Sequence, residues 1–450
     1  MAQENKMGVM PEGKLLISMS LPMMISMLVQ SMYNIVDSYF VSKISEEALA
    51  AVSEAFPVQL FMIAIGAGTG VGVNALVSRA LGEQDKEKAS RFAQNGIFVY
   101  AISYVVVVIF GLLINRPFFE LLTTDGQEQM VEYGVSYLSI CIIFSFGMFA
   151  QFIFERLLQS TGRTLFTMFS QASGAIINII FDYLLIFGIG PFPEMGIRGA
   201  AVATVMGQIA AGIIALIGNV TINKDISLNF KGFRPSGKAI SNIYKIGVPS
   251  ILMQSVGSIM MSGMNYILKE FSATAVAFFG IYFKLQSFFI MPVLGLNNGL
   301  IPILSYNMGA RNSKRMRKTL KYGYIIACCS MVFGFLCFEL IPKQLLSIFS
   351  SNPDMFDIGV SGLRIIGFSY LVAWVSIVNM SLFQAVGKAV YSMWIAIARQ
   401  FLVLLPLAYI LAKIGGLDLI WFSFLGAELI SVTISTIFKK KTYATVLKDL

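Results

Sequence analysis

Hydrophobic positions in this chain come in long runs separated by short polar connections. The runs lie near 15–40, 55–78, 92–114, 131–158, 165–188, 197–220, 247–268, 274–305, 320–341, 359–385, 391–412 and 417–438. An α-helix needs about 20 mainly apolar residues to cross a bilayer, so the pattern predicts roughly twelve transmembrane helices. No polar block is long enough to form a separate soluble domain. The first run begins at Leu15, is too long for a signal-peptide core and has no small-residue cleavage site after it, so the chain is expected to insert whole.

The polar connections orient these spans. Most of the Lys and Arg lie in "SRALGEQDKEKASR" (78–91), "NKDISLNFKGFRPSGKAISNIYK" (223–245), "GARNSKRMRKTLK" (309–321) and the tail beginning "KKKTYATVLK" at 439. The intervening connections carry about one cation each, among them Lys43, Arg116 and Arg198. Cytoplasmic loops carry the positive excess, which places both termini in the cytoplasm of a multi-pass plasma-membrane (inner-membrane) protein.

The chain also repeats itself. "LPMM" (21–24) answers "VPSI" (248–251), and "VSRALGEQDKEKA" (77–89) answers "LSYNMGARNSKRM" (304–316), both at a separation of 227 positions. "LQSTGRT" (158–164) answers "FQAVGKA" (383–389) at 225. The fold expected is therefore an all-α polytopic membrane protein, twelve transmembrane helices in two pseudo-symmetric six-helix bundles. The lobes are 1–220 and 247–450, joined by a cytoplasmic loop at 221–246. Six spans per half give both halves one orientation, hence a symmetry axis along the membrane normal.

Composition narrows the chemistry. Hydrophobic residues make up 56% and charged residues 13%, against about 25% charged in soluble proteins. The net charge of +9 follows from the cytoplasmic loops and does not indicate nucleic acid. With no histidine, any proton-handling step must use carboxylates, with Lys, Tyr or water. Cys141, Cys328, Cys329 and Cys337 lie in apolar runs without metal-site spacing, which fits packing rather than a disulfide or ligand set. "GAGTGVGVN" (66–74) lacks the context of a phosphate loop and suits close helix packing instead. No catalytic cluster or cofactor motif is present, so an enzyme is not expected.

Ionisable residues inside spans are costly and usually functional. Asp37, Glu155 and Asp182 are the clear acids of the first half and Glu428 the main one of the second. Their repeat mates are Met264 for Asp37, Met380 for Glu155 and Leu407 for Asp182, so the shared architecture does not demand acids there. At about 1.5 Å rise per residue, Asp37, Asp182 and Thr204 fall at similar depth in the outer half, whereas Glu155 lies nearer the cytoplasm. Gln30, Asn34 and Asp37 share one helical stripe with Tyr33 a turn before the acid, and Asn178 and Asp182 share a face. Such an oxygen set can dehydrate a monovalent cation, or two neighbouring carboxylates can share a proton. The alternative is a structural acid bonded to Asn, Tyr or a helix end. Glu155, flanked by Gln151 and Gln159 and adjacent to Arg156, reads equally as a cavity residue or a structural pair. Glu428 reads equally as functional or as the partner of a cation. Lys284, mid-span, is either a cavity switch or counter-ion, or half of a buried pair with an acid.

These residues resemble a known family. The two six-span halves, "NIVDSYFVSKI" in span one, "ALGEQDKEKA" after span two, "FERLLQSTGRT" after span four and "NIIFDYLLIFG…GIRGAAVAT" across spans five and six are similar to the MATE multidrug and toxic-compound extrusion transporters, most of all the bacterial MepA-like and DinF-like types. The resemblance implies a monomeric antiporter that exports amphipathic, mostly cationic drugs by alternating access, with Na⁺ or H⁺ as coupling ion and no resident cofactor. It implies Asp37, Asn178, Asp182 and Thr204 as the ion site, with Gln30, Tyr33, Asn34, Glu155, Gln254 and Lys284 as cavity or gating residues. NorM-type relatives carry an acid in span seven. Here that stretch reads "VPSILMQSVGS", with Gln254 in its place. A lipid-linked oligosaccharide or lipid flippase of the same superfamily is the alternative, and the intramembrane acids count against it.

Overall fold

The computed structural model describes residues 5–122, 128–349, 352–446 and 448. Among them there is no β-strand. After a short α1 (Lys6–Val9) come α2 (Glu12–Ser42), α3 (Glu46–Gly82), α4 (Lys86–Leu122), α5 (Glu128–Ile143), α6 (Phe146–Ser160), α7 (Thr164–Phe187) and α8 (Ile197–Thr221). The second half holds α9 (Gly237–Lys269), α10 (Ala273–Gly309), α11 (Ser313–Leu340), α12 (Pro342–Ser347), α13 (Pro353–Ala385), α14 (Ala389–Ile397), a π-helical turn (Ala398–Leu404), α15 (Leu405–Ile420) and α16 (Phe422–Thr445). Among the described residues eleven helices are long and apolar enough to cross a membrane, and α5 with α6, bent by 45° at their junction, passes the same test when taken together. Large apolar side chains such as Phe110 (62% exposed) and Leu113 (68%) on α4 face outward.

The internal repeat extends to helix boundaries and turn geometry. α3 and α10 begin and end 227 positions apart, and α7 and α14 begin 225 apart, as do α8 and α16. Ser45 and Ser272, at the same offset of 227, each cap a helix by accepting the backbone N–H three residues on, at 3.0 Å, which satisfies a donor the helix start leaves open. In "GEQD" and "GARN", Gln84 (φ 61°) and Arg311 (φ 52°) take the left-handed conformation, uncommon for a non-glycine residue. The residue after each, Asp85 and Asn312, caps the following helix. Some spans depart from their mates: the bent α5–α6 answers the continuous α13, and the continuous α7 answers α14, the π-helical turn and α15.

Two compact units emerge, and their limits differ from the lobes expected. One comprises Ile25–Gly247, the other Met1–Met24 with Val248–Leu450. The first 24 residues group with the second half because they bond there. Arg315 Nη2 donates to Met10 O at 2.6 Å, Ser20 Oγ to Leu296 O at 3.4 Å, and a Cβ on Gly295 would lie 2.6 Å from the Met24 backbone. The expected connecting loop at 221–246 is also shorter than expected, since α9 starts at Gly237. What precedes α9 is bonded to α4: Gln94 Nε2 donates to Asn229 O at 2.7 Å, and the backbone N–H of Ser236 to Asn95 Oδ1 at 2.8 Å.

The glycine run 66–74 lies wholly inside α3. A Cβ on Gly66 would meet the Phe152 ring at 2.8 Å, and one on Gly70 would meet Arg156 Cγ and Tyr100 Oη at 2.7 Å. Tyr100 Oη donates to the Gly66 carbonyl. These glycines pack helices closely. The C-terminal unit is filled differently, by rings: Phe278 with Trp421 (4.9 Å between centroids), Tyr282 with Phe424 (5.5 Å) and Phe338 with Tyr370 (5.2 Å).

Candidate functional site

The site is built where α7 and α8 of the first unit approach without side chains between them. A Cβ on Gly174 would lie 2.8 Å from Gly207 O, and one on Gly207 would lie 2.6 Å from Gly174 O. Small residues allow such backbone approach in membranes. One turn beyond Gly174, Asn178 reaches across to α8. In one orientation of its amide, Nδ2 donates to Thr204 Oγ1 at 3.3 Å. In the other, Nδ2 donates to Asp182 Oδ2 at 3.0 Å and the amide oxygen accepts the Thr204 backbone N–H at 3.0 Å, which satisfies both ends. Asp182 and Asn178, one turn apart on α7, are buried, as is Thr204.

α2 supplies the second carboxylate. Asp37 lies within hydrogen-bond reach of Asp182, and Tyr33, one turn earlier, reaches the Thr204 hydroxyl. Oδ1 of Asp37 and Oδ1 of Asp182 are both shielded and have no hydrogen-bond partner among the described residues. A buried acceptor without a donor is expensive. Two such atoms side by side, with an amide and two hydroxyls around them, form an acceptor-rich pocket suited to a proton or a hard monovalent cation. No group of three His, Cys, Asp or Glu suited to a metal ion occurs among the described residues.

The structure thus brings Asp37, Asn178, Asp182, Thr204 and Tyr33 together. Gln30 and Asn34 are exposed. Gln254 is exposed and turns its amide onto its own helix, donating to Ser250 O at 3.3 Å. Glu155 belongs to a separate cluster, as its depth suggests. It accepts from Gln151 Nε2 at 3.1 Å, Ser170 Oγ at 3.1 Å and Gln171 Nε2 at 2.6 Å. Gln159, expected at its side, instead accepts from Arg156 at 2.8 Å. The reading of Lys284 as half of a buried ion pair is corrected: Lys284 is exposed and has no acid within ion-pair distance among the described residues. Glu428 does pair with a cation, Arg399 Nη1 at 3.0 Å.

Sequence reasoning missed a group next to Asp37. Gln59 of α3 donates to Tyr137 Oη at 3.3 Å and lies 3.6 Å from Cys141 Sγ, both on α5. Tyr137 and Cys141 are buried within electrostatic range of Asp37. The available signal was an amide, Gln59, near the start of a mostly apolar run. Nothing in its spacing pointed to a tyrosine 78 positions away.

The MatE family profile matches residues 22–184 and 249–410, most of the chain and both halves. The chain is 27% identical to the multidrug export protein MepA of Staphylococcus haemolyticus, covering 92% of this chain and 90% of that protein. It is 28% identical to an FAD transporter of Shewanella oneidensis, over 90% and 89%. Among solved structures, a MATE transporter in complex with MaL6 superposes with a TM-score of 0.93 at 24% identity, over 100% of both chains. An outward-facing multidrug-resistance MATE transporter of the MOP superfamily gives 0.93 at 24%, over 100% of this chain and 99% of that one. These two likenesses establish the fold.

Proposed function

The chain belongs to the MatE family of membrane transporters, and from that premise we propose that it is a cation-coupled antiporter exporting amphipathic, mostly cationic drugs and toxic organic compounds. The observation that carries the coupling is the carboxylate pair, with one buried, unbonded oxygen on each of Asp37 and Asp182. The coupling ion is Na⁺ or H⁺. Either one relieves the same problem, two acidic oxygens confined in a low-dielectric setting. Asn178 holds Asp182 in place through its amide, while Thr204 and Tyr33 complete the oxygen shell.

In this reading the pair binds its ion from the outside, and occupation favours the state that releases the drug outward. Discharge of the ion to the cytoplasm restores the drug-binding state. Exchange requires only that each ligand differ in affinity between the two states. The net negative charge of the pair, together with the multidrug export relatives, supports organic cations as cargo. The protein acts as a monomer in the plasma membrane with both termini cytoplasmic, as the distribution of Lys and Arg supports. It is not an enzyme.

The test is transport of a fluorescent organic cation in proteoliposomes under separately imposed sodium and pH gradients. Wild-type protein is expected to respond to one or both, and Asp37→Asn to neither while remaining folded. Full gradient-driven export by Asp37→Asn would remove the coupling role.

A further inference from the structure

A cluster of cations and rings in the C-terminal unit has no part in the coupling reading. Lys439 of α16 is half-buried, and its Nζ donates to Tyr324 Oη of α11 at 2.9 Å. Tyr324 Oη in turn donates to Asn379 Oδ1 of α13, and Asn379 Nδ2 to Ser435 Oγ of α16 at 3.1 Å. Three helices thus hold one ammonium in place. It also stands over the Tyr324 ring, 4.5 Å from the centroid. Tyr443, one turn after Lys439, gathers a second cation. Arg317 Cζ of α11 lies 5.5 Å from the Tyr443 centroid, and Lys439 Nζ lies 5.9 Å from it. Arg317, Lys321 and Tyr324 follow i, i+4, i+7 spacing and so share one stripe of α11. Arg317 and Lys321 are exposed.

These charges lack a counter-ion. Arg315 and Lys318 of the same helix each reach Glu12 at 3.9 Å, whereas Arg317, Lys321 and Lys439 have no carboxylate within ion-pair distance among the described residues. An ammonium has three donors, and Lys439 gives one of them to the described residues. The internal repeat shows that the fold does not require this charge. With α4 answering α11 at 227 and α8 answering α16 at 225, Lys439 corresponds to Ile214 and Tyr443 to Gly218. Arg317 corresponds to Ser90 and Lys321 to Gln94. In the first half the chain itself bonds to that stripe. Ser90 Oγ accepts the Ser227 backbone N–H at 2.8 Å, and Gln94 Nε2 donates to Asn229 O at 2.7 Å. In the second half the stripe is cationic and exposed.

We propose that this cluster binds the headgroup of an anionic phospholipid of the cytoplasmic leaflet, with its phosphate held by Arg317 and Lys439. A guanidinium fork matches two phosphate oxygens, and an ammonium adds a compact point charge. An anion between the two cations also relieves their repulsion beside one ring. Basic pockets between helices on the cytoplasmic side suit such headgroups. The surroundings favour a lipid over a soluble anion. Tyr324, Tyr443 and Trp374, whose ring lies 5.9 Å from that of Tyr324, are of the types that gather at membrane–water interfaces. Farther along α11, Ile325 and Phe333 are exposed apolar residues that acyl chains can cover. Of the function proposed above, this site requires the membrane orientation alone and neither the coupling ion nor the cargo.

The experiment measures binding of phosphatidylglycerol and phosphatidylcholine, with identical acyl chains and fluorophore, to the purified full-length protein in neutral detergent. Wild type is expected to prefer phosphatidylglycerol by at least about tenfold, and Lys439→Gln or Arg317→Gln to lower that preference about fivefold each. Lys439→Arg, which keeps the charge, retains most of it. Lys343→Gln removes the same charge beyond the other end of α11 and should leave the preference unchanged. Thermal melting confirms that each variant is folded. No preference in wild type, an unchanged preference in both folded Gln variants, or an equal fall in Lys343→Gln overturns the proposal. Inorganic phosphate at matched concentration should not displace the lipid, and equal displacement would assign the cluster to soluble anions instead. Asp37→Asn should bind phosphatidylglycerol as wild type does, so failure of the coupling reading and failure of this site are separate results.

Discussion

In the N-terminal half, α7 meets α8 through Gly174 and Gly207. In the C-terminal half, Arg399 of the π-helical turn, the counterpart of Gly174, meets Glu428 of α16, one turn before the counterpart of Gly207. Both arrangements hold a helix pair together, and they leave opposite residues of chemistry. Backbone-to-backbone approach uses no side-chain polarity, so Asn178, Thr204 and Asp182 can bond one another and Oδ1 of Asp182 stays free. The ion pair uses its charge internally and leaves a neutral core lined by Tyr282, Tyr370 and Phe424. Two halves with shared helix boundaries can thus divide their roles, one keeping a reactive charge and one cancelling it.

The comparison is broken most directly at the carboxylates. Asp182→Asn is expected to reduce gradient-driven export at least about tenfold, the loss of one charge-assisted interaction of roughly 1.4 kcal/mol or more. Glu428→Gln leaves the dependence on the imposed gradient intact. Equal loss of coupling in both variants, measured in proteoliposomes, would erase the division between the halves.

Next in size is the helix approach itself. A side chain at Gly207 must displace the Gly174 carbonyl and the Asn178 Cβ, which lie 2.6 and 3.0 Å from the added carbon. Gly207→Leu should therefore cost about 2–3 kcal/mol and weaken coupling as well, seen as a lowered melting temperature together with reduced gradient response. Its counterpart in the second half, Val432, already carries a side chain, and Val432→Leu should leave the gradient response unchanged.

Removing one member of the ion pair is expected to matter less. Arg399→Met leaves Glu428 unpaired at a partly exposed site and should cost about 1–2 kcal/mol, below the value for a fully buried pair. Adding Glu428→Leu should recover most of that loss in thermal melts. A double variant that melts lower than either single would show that the pair stabilises the fold. The smallest effect is expected from Thr204→Val, which keeps shape and removes one hydroxyl at a cost of about 1 kcal/mol. Export should fall by a few-fold, with the choice of driving ion unchanged.

Helix content, span number and the internal repeat were all legible in the residues, because bilayer length and backbone satisfaction allow few alternatives for long apolar runs. The repeat was more regular than its quoted motifs suggested, since capping residues and left-handed turns recur at the same offset. The depth estimate separated Glu155 from Asp37 and Asp182, because rise per residue converts position into height. The stripe put Gln30 and Asn34 on one face with Asp37, and in the structure both are exposed while Asp37 Oδ1 is shielded. Helical periodicity sets which residues share a face, and it does not say what that face meets.

Local patterns in the chain were enough for the class of protein and the helices, since both depend on short-range spacing alone. Partnership was settled elsewhere. Gln59 meeting Tyr137, Arg399 meeting Glu428, the first 24 residues grouping with the second half, and Lys284 finding no acid among the described residues each depend on how distant segments are placed. Such contacts follow from how helices rotate and approach in three dimensions, and no linear spacing encodes that.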